Sequence, residues 1–138
     1  MPDTDEDIPI TALLAGLAGG LGALPLLMMA VVCYAYADEG PAERWSWPVL
    51  LALAFAHLVG ASRLTRRRGH RLQVGAAVVT LVGYPLFVIA TSTERPEPVG
   101  ETVHALAFGL AAPLAAVVLG SSSAARRWAD RPAQAPPS

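Results

Sequence analysis

His57 and His104 draw attention first, because each lies in a long stretch without a single Asp, Glu, Lys or Arg. An ionisable group in such a stretch is costly to bury, which makes it a default functional candidate. His57 follows Pro48 by nine residues; if the segment is helical, it lies about 13 Å along the axis. His104 follows Glu101 by three residues, so it lies only about 5 Å from the same end. Two haem ligands need similar depth, and a mismatch of about 8–9 Å disfavours that pairing. The expectation for His57 is a neutral imidazole hydrogen-bonded to Thr80, Tyr84 or Ser62. The alternative is a proton-relay or substrate role. His104, close to Glu101, reads as an interfacial residue.

Met28, Met29, Cys33 and His104 offer thioether, thiol and imidazole groups, a donor set suited to Cu(I). No spacing motif organises them, and Met is an ordinary filler of irregular space, so packing is expected and no metal or other cofactor is assigned. Cys33 is the single cysteine, which excludes an intramolecular disulfide and CxxC chemistry. There is no GxSxG, HExxH or phosphate loop. Nothing in the chain assembles catalytic residues, and no enzymatic activity is expected.

The remaining chemistry is cationic. The stretch RLTRRRGHR carries Arg63, Arg66, Arg67, Arg68 and Arg71. With a net charge of −1 over 138 residues, no global field draws the chain to nucleic acid. The elements around this cluster explain it better. Residues 8–37, 45–62, 72–93 and 102–125 hold no Asp, Glu, Lys or Arg, in runs of 30, 18, 22 and 24 residues. A helix needs about 20 apolar residues to cross a hydrocarbon core about 30 Å thick. A soluble helix would show a charged face, and LQVGAAVVTLVGYPLFVIATST (72–93) has none. The reading is an all-α fold, a transmembrane four-helix bundle with spans at about 10–37, 46–63, 72–92 and 102–121. An acidic tail (1–7) precedes this membrane domain (8–125), and a basic then Pro-rich tail (126–138) follows it.

Orientation follows from the arginines, which are enriched on the cytoplasmic side of short loops. Arg126, Arg127 and Arg131 share a side with the 63–71 cluster, whereas Arg44 and Arg95 each stand alone on the other. This predicts an antiparallel up–down bundle, N-in and C-in, with short loops between neighbours. The cluster then serves as a cytoplasmic anchor for anionic lipid headgroups. AYA at 35–37 resembles a cleavage site, but the acidic start and the long apolar run favour retention as the first span. Tyr34, Tyr36, Trp45, Trp47 and Trp128 suit membrane interfaces. Asp7 is placed to cap the first helix, with Pro9 just inside its start.

Within lipid, close approach of small residues holds helices together. Candidate stripes are Ala12, Gly16 and Gly20, with Ala15, Gly19 and Ala23 beside them; Ala52, Ala56 and Gly60; Gly75 and Gly83; and Ala105, Gly109, Ala112, Ala116 and Gly120. They could serve internal packing or a homo-oligomer. Pro25, Pro85 and Pro113 fall inside spans and are expected to kink them.

In size and layout residues 8–128 resemble the uncharacterised small four-span integral membrane proteins of high-GC bacteria, with an arginine-rich loop between the second and third spans. That resemblance implies a multi-pass protein of the bacterial plasma membrane and carries no catalytic residue. The dimensions are also those of the small multidrug transporters, whose first span carries a membrane-embedded Glu. Residues 10–37 here contain none, which argues against proton-coupled drug export. The expected function is an accessory or interaction subunit, or else a small transporter or channel using His57; copper or haem binding comes third.

Overall fold

A computed structural model describes residues 8–94 and 99–130. The acidic tail with Asp7, the segment with Arg95 and the Pro-rich end lie outside the described residues. Among those described there are five helices: α1 (Ile10–Ala35), α2 (Pro41–Thr65), α3 (Arg71–Glu94), α4 (Val99–Gly120) and α5 (Ser123–Asp130). α1, α4 and the stretches Glu43–Thr65 of α2 and Arg71–Thr91 of α3 are each long and apolar enough to cross a membrane.

The four long helices form a ring in which α1 packs on α2 and α4, and α3 packs on α2 and α4. α1 is the most enclosed. Its buried face reads Ala12, Ala15, Gly16, Ala18, Gly19, Gly22, Ala23, Pro25, Leu26, Ala30 and Cys33, a broad band threaded by the spacing 12, 15, 19, 22, 26, 30 and 33 that keeps one side of a helix in contact. Large apolar side chains are turned outward: Val31, Phe55, Leu86, Phe108 and Val118 are each more than 60% exposed. Water would penalise that arrangement, whereas in lipid it costs nothing and small residues at the contacts bring backbones close.

The prolines at 25, 48, 85 and 113 lie within helices that continue through them. A proline removes one backbone hydrogen bond. In lipid the rest of the ladder persists because the backbone has no other partner.

Not every expected stripe is a contact. Gly75 and Gly83 are exposed and a side chain at either would meet open space; α3 packs instead through Gln73, Ala76, Ala77, Thr80, Tyr84 and Val88. On α2 the buried small residues are Ala54 and Gly60, while Ala52 is exposed. Composition supplies glycine and alanine on several faces; the neighbours decide which face is used.

α5 lies where the sequence suggests only the start of a basic tail. Ser122 Oγ accepts from the Ala125 N–H and caps it. Ala125, Trp128 and Ala129 bury against Ala12, Ala15 and Leu64. At eight residues, α5 would not hold alone in water; its apolar stripe becomes stable by docking on α1 and α2.

Candidate functional site

His57, Gln73 and Thr80 are the fully buried polar side chains among the described residues, and they occupy two adjoining levels of the bundle. At the first, His57 of α2 meets Thr80 of α3, with Nε2 2.9 Å from Oγ1. The Thr80 hydroxyl donates its one proton to the Ala76 carbonyl at 2.9 Å. With that proton committed, the hydroxyl accepts from the imidazole in the tautomer that carries its proton on Nε2, and the backbone of Gly19 also lies close to the ring. Nδ1 has no hydrogen-bond partner. Gly22 of α1 lies against the ring on that side: a Cβ there would stand 3.3 Å from Nδ1 and 3.6 Å from Cδ of Pro113. One residue from each long helix thus meets at this level.

The second level holds Gln73, seven residues before Thr80 on α3. Its amide is inserted between two glycines. A methyl group at Gly19 of α1 would overlap the amide, and one at Gly60 of α2 would stand 2.7 Å from Oε1 and 2.8 Å from Cα of Gln73. Neither Oε1 nor Nε2 has a hydrogen-bond partner. The glycines at 19 and 60 make room for this side chain.

Of the three partners expected for His57, the structure selects Thr80. Tyr84 donates instead to the Ala105 carbonyl of α4 at 3.2 Å, with its ring across Gly109, and Ser62 is exposed. Gln73 escaped the sequence reading because, two residues past Arg71, it resembles an interfacial polar group. The spacing of Gly19 and Gly60 was the one available signal, visible only once the helices are paired.

The structure does not gather the soft-metal candidates. Met28 is exposed, Cys33 is buried among Leu50, Ala54, Tyr84 and Val88, and Met29 packs against that cluster. His104 is exposed, its Nδ1 2.6 Å from the Gly100 carbonyl of its own helix. Among the described residues no three His, Cys, Asp or Glu side chains could hold a metal ion together.

The arginine cluster ends α2 and opens α3. Arg68 N–H donates to the Arg63 carbonyl at 2.8 Å and Arg67 N–H to the Leu64 carbonyl at 3.3 Å, the pairing of a Schellman helix end. That end needs a left-handed residue, here Arg67 with φ 55°, where glycine is usual. Its guanidinium lies 3.7 Å above the Trp128 ring of α5. Arg63, Arg66, Arg68 and Arg71 are exposed. Close by, His70 Nδ1 lies 3.7 Å from Asp130 Oδ1 of α5.

No family model matches the chain, and no curated protein and no solved structure matches it significantly. The fold and site define the class here: a helical protein with four candidate spans around a small buried polar centre.

Proposed function

We propose that this chain is a multi-pass protein of the bacterial plasma membrane that acts without enzymatic activity, as an accessory or interaction subunit. It would resemble the small four-span proteins of high-GC bacteria. The observation that carries this reading is the buried centre: Thr80 and Gly22 lie against His57, Pro113 of α4 lies against Gly22, and His57, Gln73 and Thr80 are fully enclosed. Such a centre suits a rigid body presented to lipid and to other membrane proteins.

The up–down antiparallel arrangement, N-in and C-in, belongs to the same proposal. It is supported by the pairing of α1 with α2, in which Gly16 faces Thr65, Gly22 faces His57, and Tyr34 packs edge-to-face on Trp47. The arginine loop and α5 then lie at the cytoplasmic face, where anionic headgroups gather. The partners are that lipid surface and a second membrane subunit or copy, and no nucleic acid.

A second reading, a small transporter or channel, is favoured by the bare Nδ1 of His57 and the unpaired amide of Gln73. Purification from native membranes in mild detergent, together with flux measurements in reconstituted vesicles, separates the two. The accessory role expects a stoichiometric co-purifying membrane protein and no flux. Proton or solute flux abolished by His57→Leu would overturn it.

A further inference from the structure

We propose that the groove between α2 and the start of α3, together with the arginines at its end, forms one binding site for an anionic phospholipid. An acyl chain would lie in the groove and its phosphate at Arg63 and Arg71. The inference rests on the membrane reading above and adds a defined lipid to it.

The groove has a volume of about 570 Å³ and is lined by Pro48, Leu51, Ala52, Phe55, Ala56, Val59 and Leu72. Ala52 and Ala56 are its small residues, and Phe55 is 65% exposed beside them. Positions 48, 52, 55 and 59 follow one face of α2. Continued at helical spacing, that face reaches Arg63 and Arg66, while Leu72 is the immediate neighbour of Arg71. All three arginines are exposed, and none makes an ion pair or side-chain hydrogen bond among the described residues. The other end of the same face carries the exposed Trp45 and a single cation, Arg44, whose Nε–H donates to the Ala37 carbonyl at 3.4 Å. The site therefore has an apolar body with a cluster of three uncommitted cations at one end and a single, hydrogen-bonded one at the other.

Dimensions agree with a lipid of the arginine-side leaflet. From Arg63 to Ala52 a helix rises about 16 Å, close to half of a hydrocarbon core about 30 Å thick. Charge selects this occupant over a second copy of the chain. Copies paired through this face in the same sense would bring the arginine ends together, and that repulsion disfavours a copy in this groove, whereas a phosphate neutralises the cluster.

The test uses the full chain in detergent with equal phosphatidylglycerol and phosphatidylcholine, read by native mass spectrometry. Wild type should retain one phosphatidylglycerol per chain in preference to phosphatidylcholine. Arg63→Gln and Arg71→Gln should each weaken retention about fivefold. Ala56→Leu and Ala52→Leu, which fill the groove at accessible positions, should weaken it with every arginine in place. Arg126→Gln with Arg127→Gln, and Gly83→Leu on another outward face, should leave it unchanged, and circular dichroism should show all variants equally helical. Equal retention of both lipids, an equal loss in the Arg126/Arg127 variant, or a dimer abolished by Ala56→Leu would overturn the site. Protein that stays monodisperse without detergent would instead overturn the membrane reading beneath it.

Discussion

His57 and Thr80, 23 residues apart in sequence, are joined by a 2.9 Å contact in which the imidazole Nε2–H donates and the hydroxyl accepts. The direction is set by the second bond of Thr80, to the Ala76 carbonyl. Two consequences follow. The tautomer with its proton on Nε2 satisfies both bonds of Thr80, and the other ring nitrogen faces Gly22 of α1 rather than another polar side chain.

Thr80→Val keeps the shape and removes the acceptor, leaving the Nε2–H of His57 unpaired. The expected loss is about 1–3 kcal/mol, the cost of an orphaned buried donor. In a double-mutant cycle with His57→Leu, the coupling should be about 0.6 kcal/mol and no more than about 1.7, the range for side-chain hydrogen bonds between membrane helices. Reversible unfolding in mixed micelles measures both. Strict additivity of the two substitutions would mean that the bond contributes nothing.

Gln73 presents the opposite case. Neither of its amide atoms is hydrogen-bonded, so Gln73→Met, which keeps the length and removes the polar atoms, should be neutral or stabilising. Gly19→Ala should destabilise by about 1–3 kcal/mol through overpacking, because the new methyl overlaps the amide. Most of that loss should vanish in a Gln73→Ala background. The same unfolding assay reads it, and a strongly destabilising Gln73→Met would show that the amide has a partner after all.

Arg67 sits at φ 55°, which costs a residue with a Cβ about 1–2 kcal/mol relative to glycine. Arg67→Ala and Arg67→Gly both lose the stack on Trp128, but only the glycine variant relieves the backbone. Arg67→Gly should therefore be the more stable of the two by about 1 kcal/mol, measured by thermal unfolding. Equal stabilities would argue against the left-handed helix end.

The threading of the chain is open to direct labelling. In a Cys33→Ala background, Asp38→Cys should react with an impermeant maleimide added to intact cells. Arg68→Cys should react only after the membrane is opened. Both positions are exposed on the protein surface, so protection reports the membrane side rather than burial. Labelling of both from one side would reverse the up–down topology.

Much of the architecture was legible because lipid-facing helices announce themselves by what they lack. Four runs without charge, long enough to cross a bilayer, leave few alternatives. The helices occupy those runs with small shifts at their ends, α4 beginning at Val99 and α2 extending back to Pro41. The His57–Thr80 contact was among the expected ones because both lie deep in their runs, where a polar side chain has few other partners. Gln73 was not, since its distance from the arginines along the chain says nothing of the glycines opposite. α5 was hidden for a related reason: a short charged segment has no stability of its own, and its stripe of Ala125, Trp128 and Ala129 becomes meaningful only against α1 and Leu64.

What the chain alone determined is the number and apolar character of its long helices, because hydrophobicity and length are properties of each segment by itself. Which small residues became contacts, which polar groups met at the centre and where the arginine loop found an aromatic ring were decided by tertiary packing. In lipid every apolar face is nearly equivalent. The choice among them is made by fit between neighbours, which no single segment contains.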